Sequence, residues 1–152
     1  MKPRSWRAAA AGALAAVVLL AGCAGSSRTD EDYRRKAANT AEAAASAVNT
    51  ALIGVRAAGK GNVTGPYLSS LLGEAETDLL AAQSTFESRQ PPSEQADAVR
   101  DRLGKVLDDA ADVLADVRIA ARRGVVRDLP REGAALPGVA KRLDGLEKEL
   151  SS

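Results

Sequence analysis

The hydrophobic residues of this chain fall into four stretches with the spacing of an α-helix. In the first stretch, small apolar residues recur in alternating steps of four and three from Ala37 to Ala58. Similar spacing continues in stretches that end near Ser88, Arg123 and Leu150. Steps of three and four residues place side chains on one face of a helix. No stretch shows the residue-by-residue alternation of a half-buried strand, so the pattern predicts an all-α protein.

The ends of these stretches carry residues that commonly begin or end helices. Thr29 and Ser93 can each accept a hydrogen bond from a free backbone amide at the start of a helix. Pro66 suits the first position of the second helix, and Gly124 suits the position after the end of the third. We therefore predict three long helices and one short helix, at about 30–58, 66–88, 94–123 and 138–150.

The residues predicted to face the interior differ in size between helices. The first helix offers mostly alanine, which buries little area, so this helix must pack closely against its neighbours. For the second helix we predict inward-facing Leu68, Leu72, Ala75, Leu79, Ala82 and Phe86, supported by Leu71 and Leu80. For the third we predict Ala96, Val99, Leu103, Val106, Ala110, Val113, Val117 and Ala120, with Leu107, Leu114 and Ala121 widening the stripe.

Short connections between these helices favour an antiparallel up-down-up-down bundle. The fourth helix would be about 20 Å long and the third about 45 Å. Residues 124–137 must therefore either cover the upper part of the fourth corner or leave an apolar groove open there. An open groove beside Val113, Val117 and Ala120 could hold a partner helix or an acyl chain.

The beginning of the chain has the pattern of a secretion signal. Three basic residues, Lys2, Arg4 and Arg7, precede an apolar run of about 13 residues from Ala8 to Leu20. At about 1.5 Å per residue this run is too short to cross a hydrocarbon core of about 30 Å comfortably. A charged segment, a short apolar run and small residues after it are typical of a cleaved signal peptide.

The residues Leu20, Ala21, Gly22 and Cys23 at the end of this run resemble the lipobox of bacterial lipoproteins. The resemblance implies that signal peptidase recognises the first three, that cleavage precedes Cys23, and that the Cys23 thiol carries a diacylglyceryl group. Two acyl chains suffice for stable anchoring, here at the extracytoplasmic face of the cell membrane. The alternatives are an ordinary signal followed by a chance cysteine, or an uncleaved anchor. The implied organisation is a signal peptide at 1–22, a lipidated flexible tether at 23–29 and a helical bundle at 30–152.

Composition excludes several kinds of catalytic and metal site. The chain has no histidine and a single cysteine, so neither a Ser-His-Asp arrangement nor a zinc site of His and Cys can form. Asp108, Asp112 and Asp116 recur every four residues, and with acids of the second helix they could hold a hard cation. The alternative is a solvated acidic face. We predict no enzyme activity, no cofactor and no metal site.

Charge and motif argue against nucleic acids and nucleotides. Removal of residues 1–22 takes three of the 21 basic residues and no acid, which leaves 18 Lys and Arg against 20 Asp and Glu. A slightly acidic domain lacks the electrostatic footprint of a nucleic-acid-binding protein. Residues 54–60 match most of a Walker A motif, but Gly61 stands where Ser or Thr would ligate magnesium. A helix also precedes the motif where a strand is needed.

Basic residues collect where the first and third helices end. They are Arg56, Lys60, Arg118, Arg122, Arg123, Arg127 and Arg131, opposed by Asp128 and Glu132. In an up-down-up-down bundle this end lies away from the tether, so it could meet an anionic cell-envelope polymer or an acidic protein. The alternative is that two helix C-termini attract cations because of their dipoles.

Two functions fit the sequence. The first is a membrane-anchored, non-catalytic helical module that interacts with or supports the cell envelope. The general composition is similar to that of small alanine-rich lipoproteins of high-GC bacteria, a likeness that transfers no site residues. The second is a carrier of a small apolar ligand or acyl chain in a groove between helices. A filled interior with a charged surface favours the first, and a leucine-lined groove favours the second.

Overall fold

The structure is a computed structural model that describes residues 29–152. Helices account for 82% of these residues and none of them forms a strand, which confirms the predicted all-α class. The five helices are α1 (Asp30–Gly59), α2 (Gly65–Glu87), α3 (Glu94–Arg122), α4 (Leu129–Glu132) and α5 (Leu136–Ser151). No helix in this part of the chain combines the length and the apolar character that a membrane crossing requires.

Caps at the start of α1 and α3 lie side by side. The Thr29 hydroxyl accepts a hydrogen bond from the Asp32 amide at 3.1 Å, and the Ser93 hydroxyl accepts one from the Ala96 amide at 3.2 Å. Ser93 Oγ also donates to Asp30 Oδ1 at 2.7 Å. The two helices therefore begin at the same end of the bundle and run parallel, with both predicted caps in place.

Polar contacts along α3 fix the direction of its two neighbours. On one side, Arg118 pairs with Glu76 at the middle of α2, and Arg100 donates to the carbonyl of Glu87, the last residue of α2. Residue numbers therefore increase along α3 as those of its partners on α2 decrease, so the two helices are antiparallel.

On its other side, α3 meets α5 in the same antiparallel sense. Arg102 pairs with Glu149, and Asp109 pairs with Arg142. The order of the four long elements is therefore up, down, up, down, as predicted. We call the end where α1 and α3 begin the proximal end and the end where they finish the distal end.

Both parallel helices finish in the same glycine-dependent turn. Gly61 and Gly124 have φ angles of 73° and 82°, a left-handed conformation that residues with a Cβ adopt at a cost. The amide after each glycine bonds to the carbonyl five residues earlier, at 2.9 and 3.1 Å. These bonds define a Schellman motif, which satisfies the last carbonyls of a helix. Gly124 thus occupies the predicted capping position.

The interior confirms the inward-facing residues predicted for α1, which are mostly alanines, and changes part of the inward-facing rows predicted for α2 and α3. Every residue of the predicted row of α1, in steps of four and three from Ala37 to Ala58, is at most 1% exposed. In α3 the fully buried row includes Leu107, Leu114 and the predicted Val117, whereas the predicted Val99, Val106 and Val113 are only partly buried. In α2, Leu80 was predicted to support the core but is 47% exposed. The larger leucines of α3 face the centre because they fill the space that the alanines of α1 leave.

The segment between α3 and α5 covers the fourth corner of the bundle. The single-turn helix α4 contacts α1 and α3, and Leu129 and Leu136 are fully buried. A Cβ built on Gly59 would lie 2.6 Å from Pro130 Cγ, so the end of α1 and the start of α4 are in close contact. The corner beside Val117 is therefore filled by this segment, whereas a shallow open depression remains beside Val113, lined also by Ala135, Gly138 and Val139. Helix α5 begins two residues before its predicted start.

Candidate interaction surface

The predicted acidic face of α3 is divided between two neighbouring helices. Asp108 accepts a hydrogen bond from Gln83 of α2 at 2.7 Å, whereas Asp109 pairs with Arg142 of α5 at 2.7 Å. No three His, Cys, Asp or Glu side chains converge as metal ligands within residues 29–152. Asp108 and Asp109 thus serve as contacts between helices, whereas Asp112 and Asp116 are exposed on the surface of α3.

The segment resembling a Walker A motif is helical. Residues 54–59 belong to α1, so their backbone amides are not arranged as a phosphate-binding loop. Gly54 instead allows α2 to come close, since a Cβ there would lie 2.6 Å from Leu71 Cδ2. The glycine therefore has a packing role.

The predicted lipidation residue Cys23 and the recognition residues Leu20, Ala21 and Gly22 lie outside the described residues. The described chain begins at Thr29, at the proximal end of the bundle. Any tether formed by residues 23–29 therefore joins the domain at that end.

Five of the predicted basic residues form an exposed group at the distal end, which we call the distal basic surface. The predicted Arg56 is also exposed, in the last turn of α1. Arg122 is the last residue of α3, Arg123 follows it as the C-cap, and Lys60 is the C-cap of α1. Arg127 precedes α4 and Arg131 lies within it. All five side chains are exposed, and within the described chain none of them forms an ion pair.

Arg118 differs from these five because it is already paired. Its guanidinium forms an ion pair with Glu76 of α2, and the two side chains are only 20% and 17% exposed. Arg118 Nη2 also donates to Glu76 Oε1 at 3.1 Å. Glu76 is thus a third opposing acid, in addition to Asp128 and Glu132, which were predicted from the sequence. Arg118 therefore fixes α3 against α2 at the edge of the surface.

Helix dipoles account for only part of the distal basic surface. The favourable effect of a helix C-terminus on a cation fades beyond the last turn. Lys60, Arg122 and Arg123 lie within that reach of α1 or α3. Arg127 and Arg131 follow the Schellman turn of α3, so that dipole does not explain why they are basic.

Large apolar side chains are also exposed in the distal half of the bundle. Ile119 is 38% exposed and Val125 is 36% exposed, and they flank Arg122 and Arg123 in sequence. Ile53 and Tyr67, also exposed, lie in the distal parts of α1 and α2. None of these four residues was predicted from the sequence to belong to a site. The available signal was that Ile119 falls outside every predicted inward-facing row.

Several charged side chains of the proximal half are paired within the bundle. Arg102 forms a bidentate ion pair with Glu149, in which Nη1 donates to Oε1 at 2.7 Å and Nη2 donates to Oε2 at 2.6 Å. The hydrogen bonds raise the pKa of Arg102 and lower the pKa of Glu149. Burial raises the pKa of Tyr33, whose ring lies 5.4 Å from that of Phe86. The free cations of the distal end contrast with these paired groups.

Comparison with known proteins gave no match to this chain among protein-family models, curated proteins or solved structures.

Proposed function

We propose that this protein is a lipid-anchored, non-catalytic interaction module whose distal basic surface binds an anionic partner in the cell envelope. The observation that carries the proposal is the group of exposed, unpaired cations at one end of a well-packed bundle. The five cations outnumber Asp128 and Glu132, the exposed acids beside them in sequence, so an anionic partner gains from binding there. Electrostatic complementarity of this kind raises the association rate and the specificity more than the affinity.

The position of the surface relative to the proposed anchor supports this role. A diacylated Cys23 would hold the tether at the membrane, and the tether enters the bundle at Thr29. The 30 residues of α1 then extend about 45 Å toward the distal end. In this arrangement Lys60, Arg122 and Arg127 face away from the anchoring membrane, where envelope polymers and proteins are accessible.

The alternative function, a carrier of an apolar ligand, has less support. Its groove would lie at the fourth corner, where Leu129 and Leu136 are buried and α4 contacts both α1 and α3. A carrier would need this segment to leave its place and expose the apolar side chains beneath it. No specific observation on the described residues favours that movement, so we put the interaction module forward.

Retention on isolated envelope material tests the proposed function. The triple variant Arg122→Glu, Arg123→Glu and Arg127→Glu should lose most of the retention of the full chain, measured after washing at physiological salt. The matched control replaces three exposed, unpaired lysines elsewhere, Lys105, Lys141 and Lys148, with Glu. The control makes the same change in net charge and should be retained. Equal retention of both variants would refute the proposal.

The anchor needs a separate measurement. The mass of the natural product should correspond to a chain that begins at Cys23 and carries fatty acyl groups. A product that still contains residues 1–22 without acylation would contradict the proposed location. It would leave the binding properties of Arg122, Arg123 and Arg127 unaffected.

A further inference from the structure

Apolar and basic side chains share one continuous face at the end of α3. Ile119, Arg122 and Arg123 are spaced i, i+3 and i+4, so they are neighbours on the surface of the helix. All three are exposed. This face differs from the other exposed faces of α3, where Asp108 and Asp109 carry acidic groups that contact the neighbouring helices.

The Schellman turn adds a second apolar residue to this face. The Val125 amide bonds to the Ala120 carbonyl at 3.1 Å, which folds the chain back over the last turn of α3. In this motif the side chain at the position of Val125 packs toward the residues three and four from the helix end, here Ala120 and Ile119. Val125 is nevertheless 36% exposed, so part of its surface remains available beside Ile119.

From this arrangement we infer that the partner is an acidic protein segment with apolar side chains among its Asp and Glu residues. The inference rests on the proposed function and specifies its partner. Carboxylates would pair with Arg122, Arg123 and Arg127, and an apolar side chain would cover Ile119 and Val125. Arginine combined with apolar anchors is typical of protein–protein interfaces. A polyanionic polymer would satisfy the arginines but would leave both apolar side chains in water.

Two acidic peptides of equal charge serve as probes of this surface. Both have 20 residues rich in Glu, and one carries Leu at every third or fourth position where the other carries Ser. We expect the full chain, in an uncharged detergent, to bind the Leu peptide about tenfold more tightly than the Ser peptide. Fluorescence anisotropy at 50 and 200 mM salt gives the affinities, and both should weaken with salt because exposed charges are screened.

Two variants separate the apolar from the electrostatic contribution. The double variant Ile119→Ser and Val125→Ser should bind both peptides equally, at the affinity of the Ser peptide for the unaltered chain. The triple variant Arg122→Glu, Arg123→Glu and Arg127→Glu should lose at least about tenfold in affinity for both peptides. Both variants change only exposed side chains, and circular dichroism checks that each is folded.

Envelope material treated with protease completes the test. Protease treatment should abolish retention of the full chain if the partner is a protein. Unchanged retention after that treatment, with equal binding of the two peptides, would overturn this inference in favour of an anionic polymer and leave the proposed function standing. Retention that never depended on the arginines would overturn both proposals.

Discussion

The helices α1 and α3 have nearly the same length and direction but fill the core in opposite ways. Both begin at a hydroxyl cap, end at a Schellman glycine and contact each other directly. The buried face of α1 consists mainly of alanines, whereas α3 buries Leu103, Leu107 and Leu114. The comparison shows that close approach and large side chains are alternative ways of excluding water between two helices.

This difference also shapes the contacts of the other helices. The small side chains of α1 let it approach α2, α3 and α5, so it touches each of the longer helices. In contrast, α2 and α5 make no contact with each other in the described bundle. Because α3 also contacts each of the other long helices, the two parallel helices α1 and α3 together form the centre of the bundle. Substitutions at matched positions of α1 and α3 test whether the packing of each helix depends on close approach or on large side chains.

The largest effect is expected from removing volume in α3. Leu107→Ala should lower the free energy of unfolding by about 2–5 kcal/mol, because it deletes buried methyl groups and leaves a cavity. Denaturant unfolding followed by circular dichroism measures the change. Leu80→Ala is the control, since Leu80 is 47% exposed, and it should cost much less. Equal losses would mean that Leu107 is not packed as the structure shows.

Adding volume in α1 should have the next largest effect. Ala51 is fully buried, so Ala51→Leu must push α1 away from its neighbours, at a cost of about 1–3 kcal/mol or more. Ala43 lies on the exposed side of the same helix, and Ala43→Leu should change the stability little. The same unfolding measurement applies. A stabilising Ala51→Leu would show that the alanine seam leaves unfilled space.

Two glycines inside helices give a smaller and more selective test. A Cβ at Gly104 of α3 meets no atom within 4 Å, whereas one at Gly54 of α1 would lie 2.6 Å from Leu71 Cδ2 and 3.3 Å from Leu68 Cδ1. Gly104→Ala should therefore raise stability by about 1 kcal/mol through helix propensity alone. Gly54→Ala gains the same propensity, but Leu71 must move, so its net gain should be smaller. A larger gain at Gly54 would contradict the close approach of α1 and α2.

Sequence patterns were sufficient to predict the bounds of the long helices but not the side-chain contacts between them. Caps and periodicity gave each long helix to within about two residues, because those signals are local. The pairing of Arg118 with Glu76 depends on how α2 and α3 align, and no local pattern contains that alignment. Leu80 has the same hydrophobicity whether or not a neighbour covers it. The short helix α4 lies in residues 124–137, for which no helix was predicted, although Pro130 suits the first turn of a helix.

The candidate site was predictable in charge but not in composition. Local sequence placed Arg122, Arg123 and Arg127 at one end because the order of helices determines which ends meet. The exposure of Ile119 and Val125 depends on how α3 is rotated about its axis. The valine row and the leucine row of α3 were both possible interior faces from spacing alone. The choice between them follows from the size of the residues on α1.

The smallest effect concerns the one large side chain that α1 buries fully. Tyr33 is 0% exposed, and its hydroxyl has no hydrogen-bond partner within the described residues. Burial is the main cause that raises its pKa, while nearby charges of α3 act in both directions, Arg100 lowering it and Asp97 raising it. Tyr33→Phe should therefore be neutral or slightly stabilising at pH 7, because it removes a polar group that makes no bond.

The pH dependence of the stability of Tyr33→Phe tests whether burial raises the pKa of the Tyr33 hydroxyl. A folded pKa above the unfolded value of about 10 means that the unfolded state ionises first. The stability that Tyr33 contributes is thus complete below pH about 10 and is lost as pH rises toward the folded pKa. The advantage of Tyr33→Phe should grow above pH 10, by at most about 1.4 kcal/mol per pH unit. Tyr67→Phe, at a ring that is 59% exposed, is the control, and equal alkaline profiles for the two variants would show that the Tyr33 hydroxyl reaches water.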